Sequence, residues 1–173
     1  RTWSGKEPFR FEEIAGVSGV PHLRREQQKL GVPIIINEYA WLWLTRDGQP
    51  TCLTGKVYES LLGPDSTVAQ RRLIYAKYLA ALTEFWRCRR QCAGVLHFCG
   101  LAYSRPGDIP RPEGGATSDH FTDLERLTFE PNFERYVRDA FAPVGLMLDY
   151  WSQDISAGEN HAFPVVVIND LYE

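Results

Sequence analysis

The stretch on which the fold turns is Gly31-Val32-Pro33-Ile34-Ile35-Ile36-Asn37-Glu38-Tyr39-Ala40. Its apolar core, Val32 to Ile36, is contiguous and β-branched, not alternating. A short continuous run of this kind reads as a strand buried on both faces, as in a parallel sheet. The run ends at Asn37-Glu38-Tyr39, so a carboxylate stands at the carboxyl end of a buried strand. In parallel α/β sheets that end carries the active site.

Downstream of this strand, residues 41–54 read as a loop with a turn at Arg46-Asp47-Gly48. Lys56 to Leu62 reads as a short helix. Gly63-Pro64-Asp65-Ser66 breaks the chain and offers an N-cap. A long helix is then predicted from about Thr67 to Gln91, with Leu73, Ile74, Tyr78, Leu79, Leu82, Phe85 and Trp86 as its buried stripe. The cluster Arg87-Cys88-Arg89-Arg90 falls in the last turn, where cations complement the helix dipole, and reads as a solvated helix end. Gly94 to Cys99 is a second short buried strand. It is expected to lie parallel and adjacent to the first, with the long helix as the crossover.

Gly100 to Ser118 is a long loop rich in Gly and Pro, and loops of that length in compact domains are often functional. Pro131 opens a helix through about Phe141, stopped by Pro143. Beyond it, Leu146 to Trp151 and Phe163 to Ile168 read as strands with no helix between them. This places a boundary near residue 143, with an α/β domain over 1–143 and a β-rich module over 144–173. Upstream, Pro21 suits a first helical turn, His22 to Leu30 reads as a polar-faced helix, and Gly31 is its stop. Residues 1–18 carry no clear pattern.

The 173 residues suffice for one domain with a real core, and a net charge of −3 argues against a nucleic-acid or anionic-membrane partner. No apolar run is long enough to span a bilayer. The chain starts at Arg1 without a methionine and ends at Glu173 just after a strand-like run, so it reads as a piece of a longer parent chain. Secreted, periplasmic and cytoplasmic settings all stay open.

Glu38 is the first candidate for chemistry. A carboxylate among Tyr39, Trp41 and Trp43 is partly desolvated and is costly unless used or paired. The structural alternative is a Glu paired with an Arg or with backbone amides. His97, on the second strand, is either a hydrogen-bonded core residue or a ligand for a sugar hydroxyl or for Glu38. Asp119 and His120 follow the long loop and suit a cap of the last helix or a cleft wall. Cys52, Cys88, Cys92 and Cys99 contain no CxxC pair, and buried free thiols fit them better than a metal site. His97 and Cys99 share a strand face without a helix N-terminus to lower the thiol pKa, which argues against a Cys–His nucleophile.

The segment Gly31 to Ala40 resembles the seventh-strand segment of glycoside hydrolase family 2, which comprises β-galactosidases, β-glucuronidases and β-mannosidases. There a Pro-led apolar strand ends in Glu-Tyr-Gly or Glu-Tyr-Ala. The order that follows is also similar: a long helix, an eighth strand, a last helix, then an immunoglobulin-like β-sandwich, for which Phe163 to Leu171 resembles the opening strand. The resemblance covers most of residues 20–173. It implies an α/β fold, the C-terminal part of a (β/α)8 TIM barrel followed by the beginning of that sandwich. It implies a retaining glycosidase acting on β-glycosidic bonds of a carbohydrate substrate by double displacement, without cofactor or metal. Glu38 would be the nucleophile, with Asn37, Tyr39, Trp41, Trp43 and His97 as substrate-binding residues.

Three departures qualify the match. Asn37-Glu38 is itself an Asn-Glu pair, the form of the family's acid/base after strand four; the elements that follow favour strand seven. His97 and Phe98 stand where the family often has a Trp. Double displacement needs two carboxylates about 5–5.5 Å apart, and the partner of Glu38 would come from the remainder of the parent chain. The alternative within the same fold is a non-catalytic carbohydrate-binding barrel. A nucleophile elbow, a phosphate-cradling Gly-rich loop and an HExxH helix are absent, which weakens other hydrolytic chemistries.

Overall fold

The computed structural model describes residues 32–33, 35–37, 39–89, 92–97, 100, 101, 109, 120–150 and 155–171. The expected helix over 22–30 and the bulk of the 100–118 loop lie outside them. The described elements are β1 (Ile35–Asn37), α1 (Gly55–Leu62), α2 (Val68–Arg89), β2 (Gly94–Leu96), β3 (Phe121–Asp123), β4 (Thr128–Phe129), α3 (Pro131–Ala140), β5 (Val144–Leu148) and β6 (Val165–Asn169).

β1 and β2 pair in parallel, with Ile35 opposite Gly94, Ile36 opposite Val95 and Asn37 opposite Leu96. α2 lies between them in sequence, so these elements form one β-α-β unit, as the buried runs predict. Paired residues share a face. Ile36 and Val95 point to the helices, where Leu79 and Leu82 of α2 and Val137 of α3 form a common core with Tyr39 and Ala40. Ile35 and Leu96 point the other way and are 55% and 56% exposed. The expectation of burial on both faces therefore holds for one face only among the described residues, because the described helices pack against that face.

α2 is the central element. Its start is a capping box: the Thr67 hydroxyl accepts from the Gln70 amide at 3.2 Å, and the Gln70 side chain accepts from the Thr67 amide at 2.8 Å. Ser66, in the expected cap region, instead accepts from Arg71. Of the predicted stripe Tyr78, Leu79, Leu82 and Phe85 are buried and Leu73, Ile74 and Trp86 half-buried, while Arg71, Tyr75, Ala76, Ala80 and Thr83 join the buried set. The reason is that α2 serves three clusters. It packs on the 39–40 and α3 core, on Leu42, Leu44 and Tyr58, and through Phe85 on Met147 and Ile168.

α3 begins at Pro131, whose missing N–H is harmless in a first turn, and is capped by the Glu130 carboxylate, which accepts from Phe133 N at 2.8 Å. β3 and β4 form a small irregular antiparallel hairpin before it, which sequence periodicity did not announce. β5 and β6 are antiparallel over five registered pairs, from Val144–Asn169 to Leu148–Val165. Both strands start or end about two residues away from the predicted limits. One face of this ladder carries Met147 and Ile168 against α2; the other exposes Leu146, Leu148, Val165 and Val167.

The Arg87 cluster departs from the solvated-end expectation. The Arg87 side chain is only 8% exposed and its guanidinium reaches Asp170 at 2.7 Å. It also donates to the carbonyls of Ala140 and Ala142. A planar five-donor head can bind the end of α3 and the end of β6 together, which a helix-end cation in water would not do. Cys52 is exposed, against the expectation of a buried thiol, while Cys88 and Cys92 are half-buried and unoxidised; Cys99 lies outside the described residues.

Candidate functional site

The candidate site lies at the carboxyl ends of β1 and β2 and in the segment 39–50. Asn37 closes the β1–β2 ladder opposite Leu96 and is exposed. Glu38, the next residue in sequence, lies outside the described residues, as does Asp119.

Tyr39 turns inward. Its hydroxyl is 2.6 Å from Thr83 Oγ1, and Thr83 Oγ1 donates onward to the Leu79 carbonyl at 2.7 Å. Thr83 has one proton and uses it on Leu79, so the Tyr39 O–H donates to Thr83. Burial raises the Tyr39 hydroxyl pKa to about 12, which keeps it neutral. Its hydroxyl is thus committed to α2, and the ring edge meets His97 with centroids 6.1 Å apart.

Ala40 has φ +56°, the left-handed region that L-residues seldom adopt. Leu42 N donates back to the Ala40 carbonyl at 2.7 Å, closing a tight turn around Trp41. Leu42 and Leu44 then point into the core, while Trp41 and Trp43 stack on each other with centroids 5.6 Å apart and planes 30° apart. The segment is pinned from below: Tyr58 donates to the Leu42 carbonyl at 2.5 Å and Thr54 to the Trp43 carbonyl at 2.7 Å. The turn at 45–49 closes through Thr45 N to Gln49 O at 2.8 Å. Gly48 is required there, since its φ is +79° and a Cβ would lie 2.4 Å from Val68 Cγ1. Strained backbone next to a candidate carboxylate is a feature functional sites often carry.

His97 follows β2 directly. Its Nε2 is 2.9 Å from Nε2 of His120, a residue named from sequence only as a cap or cleft wall. Glu130, not His120, caps α3. His120 is buried, stacks on Phe133 with centroids 3.9 Å apart, and lies beside Tyr75. Its amide also donates to the Gly100 carbonyl at 3.0 Å. Burial lowers the His97 pKa to about 4 and takes His120 well below its usual value, with His97 adding to the effect. Both rings are therefore neutral near pH 7, one donating and one accepting. His97 Nδ1 is shielded and finds no partner.

A cavity of about 20 Å³ lies beside this pair, walled by Leu44, Arg72, Tyr75, His120, Glu130 and Phe133. That is room for a single water, not for a sugar. No group of three or more His, Cys, Asp or Glu side chains placed to hold a metal ion occurs among the described residues. No helix among them is long and apolar enough to cross a membrane. No protein-family model, no curated protein and no solved structure matches this chain.

The structure thus gathers half-buried His97 with buried His120 and Tyr39, and Trp41 and Trp43 into one stack. The His97–His120 contact joins residues 23 apart in sequence across the long loop, and neither position carries a local signal for it.

Proposed function

We propose that this chain contributes the seventh and eighth strands of a (β/α)8 barrel in a retaining β-glycosidase, with Glu38 as its nucleophile. The observation that carries the reading is the one-sided β1–β2 unit. Parallel strands occur almost only in sheets covered on both faces. Here helices cover Ile36 and Val95, while Ile35 and Leu96 on the opposite face are left to solvent. In a closed barrel that inner face is filled by side chains from the other strands. Glu38 follows the last residue of β1, the position from which barrel enzymes present catalytic groups.

In this reading the Glu38 carboxylate attacks the anomeric carbon and the glycosidic oxygen leaves, protonated by an acid on the remainder of the parent chain. Water then releases the sugar with retention. The β5–β6 ladder, with its second apolar face uncovered, is the start of the following β-sandwich, whose two sheets bury such faces against each other. The test belongs in the intact parent protein, because uncovered aliphatic faces favour association of the isolated chain. Glu38→Gln keeps shape and removes charge. Hydrolysis of an aryl β-glycoside should fall by about three orders of magnitude or more with the melting temperature unchanged. Hydrolysis close to wild type would overturn the assignment.

A further inference from the structure

We infer that the His97–His120 contact is an acid-operated latch: proton uptake by the pair frees the β3–β4 hairpin from the end of β2 while α2 and α3 stay folded. The inference does not depend on the glycosidase reading.

The hairpin has little else to hold it. Its strands are three and two residues long, and among the described elements each packs extensively only on the other. Its root is fixed at His120. The His120 amide donates to the Gly100 carbonyl, downstream of β2, at 3.0 Å, and the Glu130 amide closes the hairpin by donating to the His120 carbonyl at 2.8 Å. The His120 ring lies against Tyr75 of α2 and Phe133 of α3, and its Nε2 meets Nε2 of His97 at 2.9 Å. Phe129 adds a contact to Phe133, with centroids 5.3 Å apart. Elements this short, carried by so few packed groups, belong to the part of a structure that opens first.

The contact is made by two neutral rings, with one Nε2–H pointing at the lone pair of the other. One added proton places a cation beside Tyr39, Tyr75 and Phe133, and the shielded His97 Nδ1 has no acceptor for it. A second leaves two N–H donors face to face. The surrounding groups do not offset this. Tyr39 and Tyr75 carry no charge in acid. Glu130, in the wall of the adjoining cavity, already accepts from Asn132 Nδ2 and Phe133 N with its two oxygens. Arg46 and Arg72 share that wall and add positive charge. Released into water, both rings titrate as ordinary histidines, so acid favours the open hairpin. For His97 the bias grows as the pH falls below 6.5 and levels off near 4. Opening also takes Phe121 and Thr122 from Leu44, Thr45 and Arg46, which line the same cavity, so the segment after Glu38 loses a neighbour.

Hydrogen exchange of the protein, followed by mass spectrometry from pH 7 to about pH 4.5 and corrected for the intrinsic pH dependence of exchange, tests the latch. Peptides covering 120–130 should exchange ahead of peptides covering 71–85 of α2 at every pH. Their opening constant should rise by at least on the order of fiftyfold across that range, the share due to His97 alone. His97→Gln can still bond His120 but takes up no proton. It should keep the hairpin protected at pH 7 and cut the acid response about tenfold or more. His120→Gln should act in the same way and serves as the second variant should His97→Gln fail to fold. Hairpin peptides that exchange in step with α2 at every pH would show global unfolding and no latch. A wild-type hairpin that gains no exchange in acid, or a full acid response in the variants, would equally overturn the inference.

Discussion

His97 and His120 face each other through their Nε2 atoms at 2.9 Å, one at the end of β2 and the other at the start of the β3–β4 hairpin. A shared hydrogen bond of this kind needs one ring nitrogen protonated and the other not. Burial beside the aromatic rings of Tyr39, Tyr75 and Phe133 holds both rings neutral.

This pair makes stability depend on pH. The folded-state pKa of His97 is depressed to about 4 by burial, below the unfolded value of 6.5. Between those values the unfolded chain binds more protons than the folded one, so stability falls as pH falls. Above pH 7 the effect is absent; from pH 7 to 5 His97 alone accounts for about 2 kcal/mol. Thermal melts of the protein should show a falling midpoint over that range, and His97→Phe should flatten the slope. An unchanged slope would place the acid sensitivity elsewhere.

Ala40 pits a backbone cost against a buried methyl. The left-handed conformation costs an L-residue roughly 1–2 kcal/mol, and removing one buried methyl costs about 0.8 kcal/mol. Ala40→Gly should therefore shift stability by less than about 1 kcal/mol, toward stabilisation. Ala40→Val adds β-branching at φ +56° in a buried site and should cost more than about 2 kcal/mol. Urea midpoints at constant slope measure both.

Arg87 joins three elements through one guanidinium: α2, the carbonyls at the end of α3, and Asp170 after β6. Arg87→Ala should cost about 3 kcal/mol, because buried carbonyls lose their donors and a partly buried ion pair is broken. Asp170→Asn, which keeps an acceptor, should cost about 1 kcal/mol. Equal losses in both variants, by chemical denaturation, would show that the carbonyl contacts add nothing.

The β-α-β unit was legible in the sequence because it rests on local signals. Contiguous β-branched runs, the chain break at Gly63-Pro64 before the long helix and a Pro131 helix opening are each written in a few adjacent residues, whereas the capping box at Thr67 was not foreseen. The hairpin at 121–129 was not legible, since its strands are three and two residues long and irregular in register. The long-range contacts were hidden for a different reason. Tyr39 with Thr83, His97 with His120 and Arg87 with Asp170 depend on how α2 and α3 pack, and no periodicity encodes that. Trp41 and Trp43 were named as sequence neighbours of Glu38 and through the family resemblance, but their stacking and the turn before it needed the backbone at Ala40.

The most direct test of Glu38 as nucleophile is chemical rescue in the parent protein carrying Glu38→Gly. A small anion can fill the vacated space and attack an activated aryl β-glycoside in place of the missing carboxylate. With azide, the product should be the α-glycosyl azide, formed by a single inverting displacement. The β-glycosyl azide would instead mark Glu38 as the acid/base, and hydrolysis near wild type without azide would show that Glu38 takes no part in bond cleavage.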